Sequence, residues 1–507
     1  MNFGFILNIA SMALSRQMGL AGLVATGVCS MIGASIHVVP FMIQRHVPGI
    51  GPYVLWAFVF AALPAILAAL AYASLATAMP RAGGSYLYAS RGLHPYWGFV
   101  ASFSQWFGLS IVIGVVAYVT VPFLRDVAAA MAWEQLAQAL DLGWVRVLLA
   151  LAFLWLFVWI NIQGTKSYEN AVLPMMFLMF ALGAIVIVAG FSSSQEDFLA
   201  AYQERHGGSW TNDTTATFSW STFFSAGAIL FASFIGFDSI AQAGGEAKNP
   251  SKKLPLAIGL TILVVGAFYL LFTAAVYHAV PWAFVAEQAI SADITAPGLM
   301  GYILPAGWTI LILAGAAVAL LNDLPAMLLS VSRLMFAWAE DGIFPKKIST
   351  IHPQYQSPVV ALWASGLIGS IGILGSHFAG DFFLGIDIMV TSMMVNFLLI
   401  CLTLAVIGQK NPALAKEIKF LNNPKPREFI GWTGVVVMLF FLGIHTAKDL
   451  QATREAWYFH STWVWLAVMA IGSLIFFFQM QQMKKRGIDA NKRFQRLPVE
   501  NGKTQIN

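Results

Sequence analysis

Hydrophobic positions along this chain fall in long blocks, with polar residues confined to the gaps between them. A run of about 20 mainly apolar residues is long enough to cross a bilayer as an α-helix. Twelve such runs are predicted, over 19–40, 52–79, 94–124, 145–163, 168–191, 219–243, 255–280, 302–335, 358–376, 382–408, 429–446 and 461–480. Two of them are interrupted. The first contains Ser30-Met31-Ile32-Gly33-Ala34-Ser35, and the sixth contains Ser233-Phe234-Ile235-Gly236-Phe237-Asp238. Glycine loosens a helix, and backbone freed from a helix inside a membrane must be buried in protein or line a cavity. An acid at that depth costs about 2.5–3.5 kcal/mol on insertion scales and marks a functional site by default. These two stretches are therefore the predicted breaks, and the chain is an all-α membrane protein of twelve transmembrane helices.

The shared Ser-x-Ile-Gly heads two sets of five spans, at 19–191 and 219–408. Five is odd, so the two sets enter the membrane from opposite sides. Paired glycine-interrupted segments at matching positions predict a five-plus-five inverted repeat with the binding site at the breaks. The last two spans lie at 429–480, between a short N-terminal tail (1–18) and a basic C-terminal tail (481–507).

Composition agrees and excludes other classes. The chain is 59% hydrophobic and 10% charged, where soluble domains carry about 25% charge. With both termini placed in the cytoplasm, the outer side receives only Arg45, Arg125, Arg146, Arg205, Lys448 and Arg454 of the 28 Lys and Arg. That asymmetry sets the expected orientation, in the plasma membrane or a bacterial inner membrane. The basic residues lie in short loops rather than on one face, so no nucleic-acid partner is expected; membrane lipids are. Cys29 and Cys401 form no CxxC and no metal spacing, and no metal or cofactor is expected. No HExxH, nucleophile motif or GxxxxGK[ST] phosphate loop is present, which argues against an enzyme. The first fifteen residues lack the positive region of a signal peptide and are expected to form an uncleaved tail. Asn212-Asp213-Thr214 is a weak glycosylation sequon. The tail at 484–496 reads as a positive-inside anchor, with lipid or partner contact as the alternative.

Five motifs in order then resemble the amino acid–polyamine–organocation permeases. They are Gly33-Ala34-Ser35 in the first span; Pro80-Arg81-Ala82-Gly83-Gly84-Ser85-Tyr86-Leu87-Tyr88 after the second; and Asn161-Ile162-Gln163-Gly164-Thr165-Lys166 at the fifth. Gly236-Phe237-Asp238 with Glu246-Ala247-Lys248-Asn249-Pro250 follows at the sixth, and Ser332-Arg333 with Asp341-Gly342-Ile343-Phe344-Pro345 after the eighth. The resemblance implies a leucine-transporter-type fold and a small-molecule substrate, an amino acid or related amine. It also implies a substrate carboxylate on first-span amides and an amine on first- and sixth-span carbonyls. Ser35 and His37 depart from the usual glycine and aromatic, and Ala232 stands at a gating-aromatic position between Phe231 and Phe234.

Substrate contact is expected from Ile32, Gly33, Ala34, Ser35, Phe231, Ala232, Phe234, Ile235, Gly236 and Asp238. Free N–H groups at a half-helix end suit a carboxylate, although Gly33 would also serve close helix packing. Asp238 would steer an amine or exchange a proton, or else be a hydrogen-bonded structural carboxyl. Lys166 resembles the lysine that replaces a sodium ion in proton-coupled relatives; the alternative is a snorkelling surface lysine. Asp323 is its expected partner. His37 reads as a satisfied core histidine, and Asp387 as either a site or a structural polar group. The function expected is secondary active transport by alternating access, coupled to protons. The alternatives are an exchanger without net proton coupling and, from another class, a transporter-derived sensor or scaffold.

Overall fold

A computed structural model describes residues 14–211, 215–292, 294–379, 382–453 and 456–498, without the side chains of 34, 35, 379, 382, 383 and 490–492. Residues 1–13 of the expected tail at 1–18, and the sequon at 212–214, lie outside the described residues. Among those described, twelve helical segments are long and apolar enough to cross a membrane. They are Leu20–His46, Gly51–Ala78, Pro95–Ala130, Gly143–Ile162, Thr165–Ser192, Trp220–Gly245, Pro250–Ala279, Ala306–Glu340, Val359–Phe378, Leu384–Lys410, Pro424–Gln451 and Ser461–Lys485. We call them spans 1 to 12.

Burial separates the spans by role. The apolar window of span 1 is 88% buried and that of span 6 is 78% buried, against 22% for span 12. The two glycine-interrupted spans are enclosed by protein together with the central spans 3, 8 and 10, at 72%, 67% and 83%. Span 3 runs through the middle, packed on spans 8, 9 and 10. Span 1 lies against spans 5, 7 and 8, and span 11 packs on span 10.

Small residues set these approaches. A Cβ on Gly114 would lie 2.4 Å from the Gly372 carbonyl carbon, and one on Gly431 would lie 2.6 Å from the Ala405 backbone nitrogen. In a membrane, where no hydrophobic effect drives helices together, such backbone contact supplies much of the packing. Several short helices beyond the expected spans cover the bundle ends, among them Gly84–Gly92, Glu134–Asp141, Gln195–His206 and Trp282–Ser291. Gln195–His206 is stopped at its start by a capping box, in which the Ser194 hydroxyl accepts from the Asp197 N–H.

Candidate functional site

Spans 1 and 6 both break, and the breaks touch. In span 1 the helix Leu20–Met31 ends at Ile32, whose extended backbone (φ −92°, ψ 95°) leads through Gly33 into a second helix, Ala34–His46. In span 6 the helix Trp220–Leu230 tightens over Phe231–Phe234 and opens at Ile235 (φ −80°, ψ 136°). Gly236 then takes φ +131°, a conformation that only glycine adopts readily. A Cβ there would also sit 2.1 Å from the Ser30 carbonyl oxygen. Ser239 Oγ donates to Ser30 Oγ across the same contact at 2.7 Å. One of the carbonyls at the end of the first half-helix, that of Met31, accepts the Tyr269 hydroxyl of span 7 at 2.5 Å.

Two acids converge here. Asp323 of span 8 presses its carboxylate against Gly33, so that a Cβ on Gly33 would lie 1.7 Å from Asp323 Oδ2. Asp323 is 4% exposed, and its Oδ1 is buried without a hydrogen-bond partner. Asp238 is wholly buried. Its Oδ2 accepts from Gln105 Nε2 of span 3, and its Oδ1 has no partner. From Gln105 a polar chain continues: Gln242 Nε2 donates to Gln105 Oε1 at 3.2 Å and to Ser85 Oγ at 2.7 Å. The Tyr72 hydroxyl meets Ser85 Oγ at 2.6 Å and accepts from Asn396 Nδ2 at 2.8 Å. Spans 2, 3, 6 and 10 are thereby joined through one buried network.

The other expected site residues divide. Ile32, Ile235 and Ala232 are buried at the breaks. Phe231 turns its edge to Phe397 of span 10, and Phe234 to Phe58 and Tyr269 of spans 2 and 7, so both rings pack against neighbouring helices. The side chains of Ala34 and Ser35 lie outside the described residues.

Lys166 is not brought to Asp323. It is exposed and makes no hydrogen bond or ion pair among the described residues. Gly164 (φ +91°) starts span 5 afresh, and the inward stripe of that helix is Thr165, Tyr168, Val172, Met176 and Met179. One residue turns a helix by about 100°, which carries Lys166 off the stripe. What span 5 offers span 1 instead is Glu169, whose Oε1 accepts the Gly19 N–H at 3.1 Å, and Tyr168, whose hydroxyl donates to Thr26 Oγ1 at 2.9 Å. Sequence reasoning missed Glu169; its spacing from the inward residue Thr165 was the available signal.

His37 is a core histidine but not a satisfied one: it stands edge-on to Phe272, and its Nδ1 has no partner. Asp387 is half-buried within electrostatic reach of Lys448, whose Nζ donates to the His46 carbonyl at 3.0 Å.

The remaining motifs assemble at the end of the bundle that carries most of the Lys and Arg. Arg333 Nη2 pairs with Glu246 Oε1 at 2.5 Å, with both side chains at most 2% exposed. Arg91 grips Asp341 with two guanidinium nitrogens, at 2.5 and 2.9 Å, and the Tyr86 hydroxyl donates to the same carboxylate at 2.6 Å. Burial, with Asp341 alongside, pushes the Tyr86 phenol up. Met18 forms a short bridge to Ala247, its N–H donating to the Glu246 carbonyl at 2.9 Å. The basic tail docks here as well: Arg493 Nη2 donates to the Glu340 carbonyl at 2.6 Å, and Phe494 lies under the Arg91 guanidinium. These contacts are where the structure places that part of the tail.

Among the described residues no group of three His, Cys, Asp or Glu is arranged to hold a metal ion. Compared with known proteins, residues 18–478 match the model of a family described as "Amino acid permease". The chain is 26% identical to the branched-chain amino acid permease BcaP of Bacillus subtilis, over 80% of this chain and 84% of that one. It is 25% identical to the low-affinity putrescine importer PlaP of Escherichia coli, over 82% of this chain and 87% of that one. It is also 26% identical to human cationic amino acid transporter 4; that match takes in 70% of this chain and spans only 54% of the human protein.

Proposed function

Because this chain belongs to the amino acid permease family, whose relatives are transporters rather than enzymes, we propose that it moves an amino acid or amine across the membrane by alternating access, driven by protons. The observation that carries this reading is the contact of two interrupted helices, at Ser30 and Gly236, beside two buried acids that have no basic partner among the described residues. Interrupted helices bring backbone donors and acceptors to mid-membrane, where a small polar molecule is bound and released as one set of helices rocks against the other. The named relatives act on branched-chain amino acids and putrescine, which supports a substrate bearing an amine.

The proton is assigned to the unpartnered acids of the break, Asp323 and Asp238. A lone buried carboxylate is costly when charged, so an acid facing the break loads a proton on one side and yields it when the site turns. Asp238, held by Gln105, supports the break and links it to span 10. Lys166 would enter the cycle only by leaving solvent in another conformation. The five-plus-five repeat is inferred from the matching breaks, the cytoplasmic placement of both termini from the distribution of Lys and Arg, and the location from the same charge rule. The protein would be reconstituted in liposomes and tested for uptake of a panel of amino acids and amines, with and without an inward proton gradient. Gradient-stimulated uptake is expected. Uptake that needs preloaded internal substrate and ignores the gradient would overturn proton coupling in favour of exchange.

A further inference from the structure

The N-terminus of the half-helix Ala34–His46 opens into the break, and such an end favours an anion through its free N–H groups and helix dipole. In a permease for amino acids this is the natural seat of the substrate carboxylate. Here the protein has put a carboxylate of its own beside it. Asp323 Oδ2 occupies the space that a Cβ on Gly33 would fill, and Asp323 Oδ1 is buried and aimed into the break with no partner. The buried guanidinium groups of the described residues are engaged elsewhere, Arg91 by Asp341, Arg333 by Glu246 and Arg427 by the Ala415 carbonyl. The second acid near the break, Asp238, likewise has an unpartnered Oδ1. Among the described residues the break therefore has its negative groups and no positive one.

We propose that the site takes a carboxylate-free amine, with Asp323 supplying from the protein the negative group that an amino acid would bring with it. The inference rests on the transport reading given above and narrows its substrate class. Two features oppose an α-carboxylate at this place. The volume beside Gly33 is already filled, and a second carboxylate would lie against Asp323 in a setting of low dielectric, where like charges repel strongly. An ammonium group meets the opposite situation, since it neutralises Asp323 and donates to Oδ1.

The test uses matched pairs that differ only by the carboxylate: putrescine and ornithine, agmatine and arginine, isoamylamine and leucine. Purified full-length protein in liposomes is assayed by counterflow for both members of each pair, in the wild type and in Asp323→Asn. The expected result is a preference of about tenfold or more for the amine in at least one pair, and collapse of that ratio in Asp323→Asn. A ratio within one preparation is insensitive to how much protein is folded, and the wild-type ratio alone decides the substrate class if the variant fails to fold. Preference for the amino acid in every pair, or an amine preference unchanged in Asp323→Asn, overturns the inference while transport itself stands. If neither member of any pair moves in protein confirmed to be folded, the transport reading falls and the inference falls with it.

Discussion

The two most charged regions inside this bundle are built on opposite plans. At the basic end each buried acid has its own base: Glu246 holds Arg333, and Asp341 holds Arg91 with Tyr86 and the tail closing around them. At the crossing of spans 1 and 6, Asp238 and Asp323 have no base among the described residues, and that is the difference, since Glu246 also leaves one carboxylate oxygen without a hydrogen-bond partner. A buried acid held by a base is what a seal requires, whereas one without a base is costly unless something enters. The difference separates structural charge from charge held for a ligand or a proton, and burial alone would not distinguish them, since all four acids are nearly inaccessible.

That distinction has graded consequences. The largest effect is expected at the crossing itself: Gly236→Ala would combine a strained φ of +131° with a clash against the Ser30 backbone, leaving little folded protein by size-exclusion profile. Glu246→Ala strands a buried guanidinium and should cost about 3–5 kcal/mol, read as a lower unfolding midpoint in detergent. If instead it costs nothing, the seal is not held by that pair.

In Gly33→Ala the three atoms nearest the new Cβ all belong to the Asp323 side chain. The substitution is expected to spare folding more than Gly236→Ala does, while lowering uptake at least about tenfold, a loss of roughly 1.4 kcal/mol in transport competence. Smallest of all, Lys166→Ala at an exposed position should change stability by less than about 0.5 kcal/mol and leave the response to a proton gradient intact. Loss of that response would return Lys166 to the coupling machinery.

Much of the frame was legible because it depends on local pattern. Apolar block length located the twelve spans to within a few residues at most ends, and Ser-x-Ile-Gly marked both breaks. The site's wiring was not legible. Asp323 meets Gly33 across most of the chain's length, and nothing near either residue encodes that contact. Lys166 was misplaced because a motif gives identity and spacing but not rotation: Gly164 resets the helix, and the inward stripe passes through Thr165 and Tyr168 instead. Phe231 and Phe234 were expected at the substrate, yet the tight turn that contains them directs both rings into neighbouring helices. The family motifs around Arg333, Asp341 and Glu246 helped recognition most, and they turn out to build the paired end of the bundle rather than the break.

The central claim is that the unpartnered acid at the break serves the transport cycle and not the fold. Asp323→Asn tests it most directly, through gradient-driven uptake measured in liposomes at matched amounts of folded protein. The account requires uptake to fall at least about tenfold while the melting temperature stays level or rises, because a costly buried charge has been removed. Uptake that persists together with a lowered melting temperature would contradict it, and would make Asp323 a structural residue like Glu246.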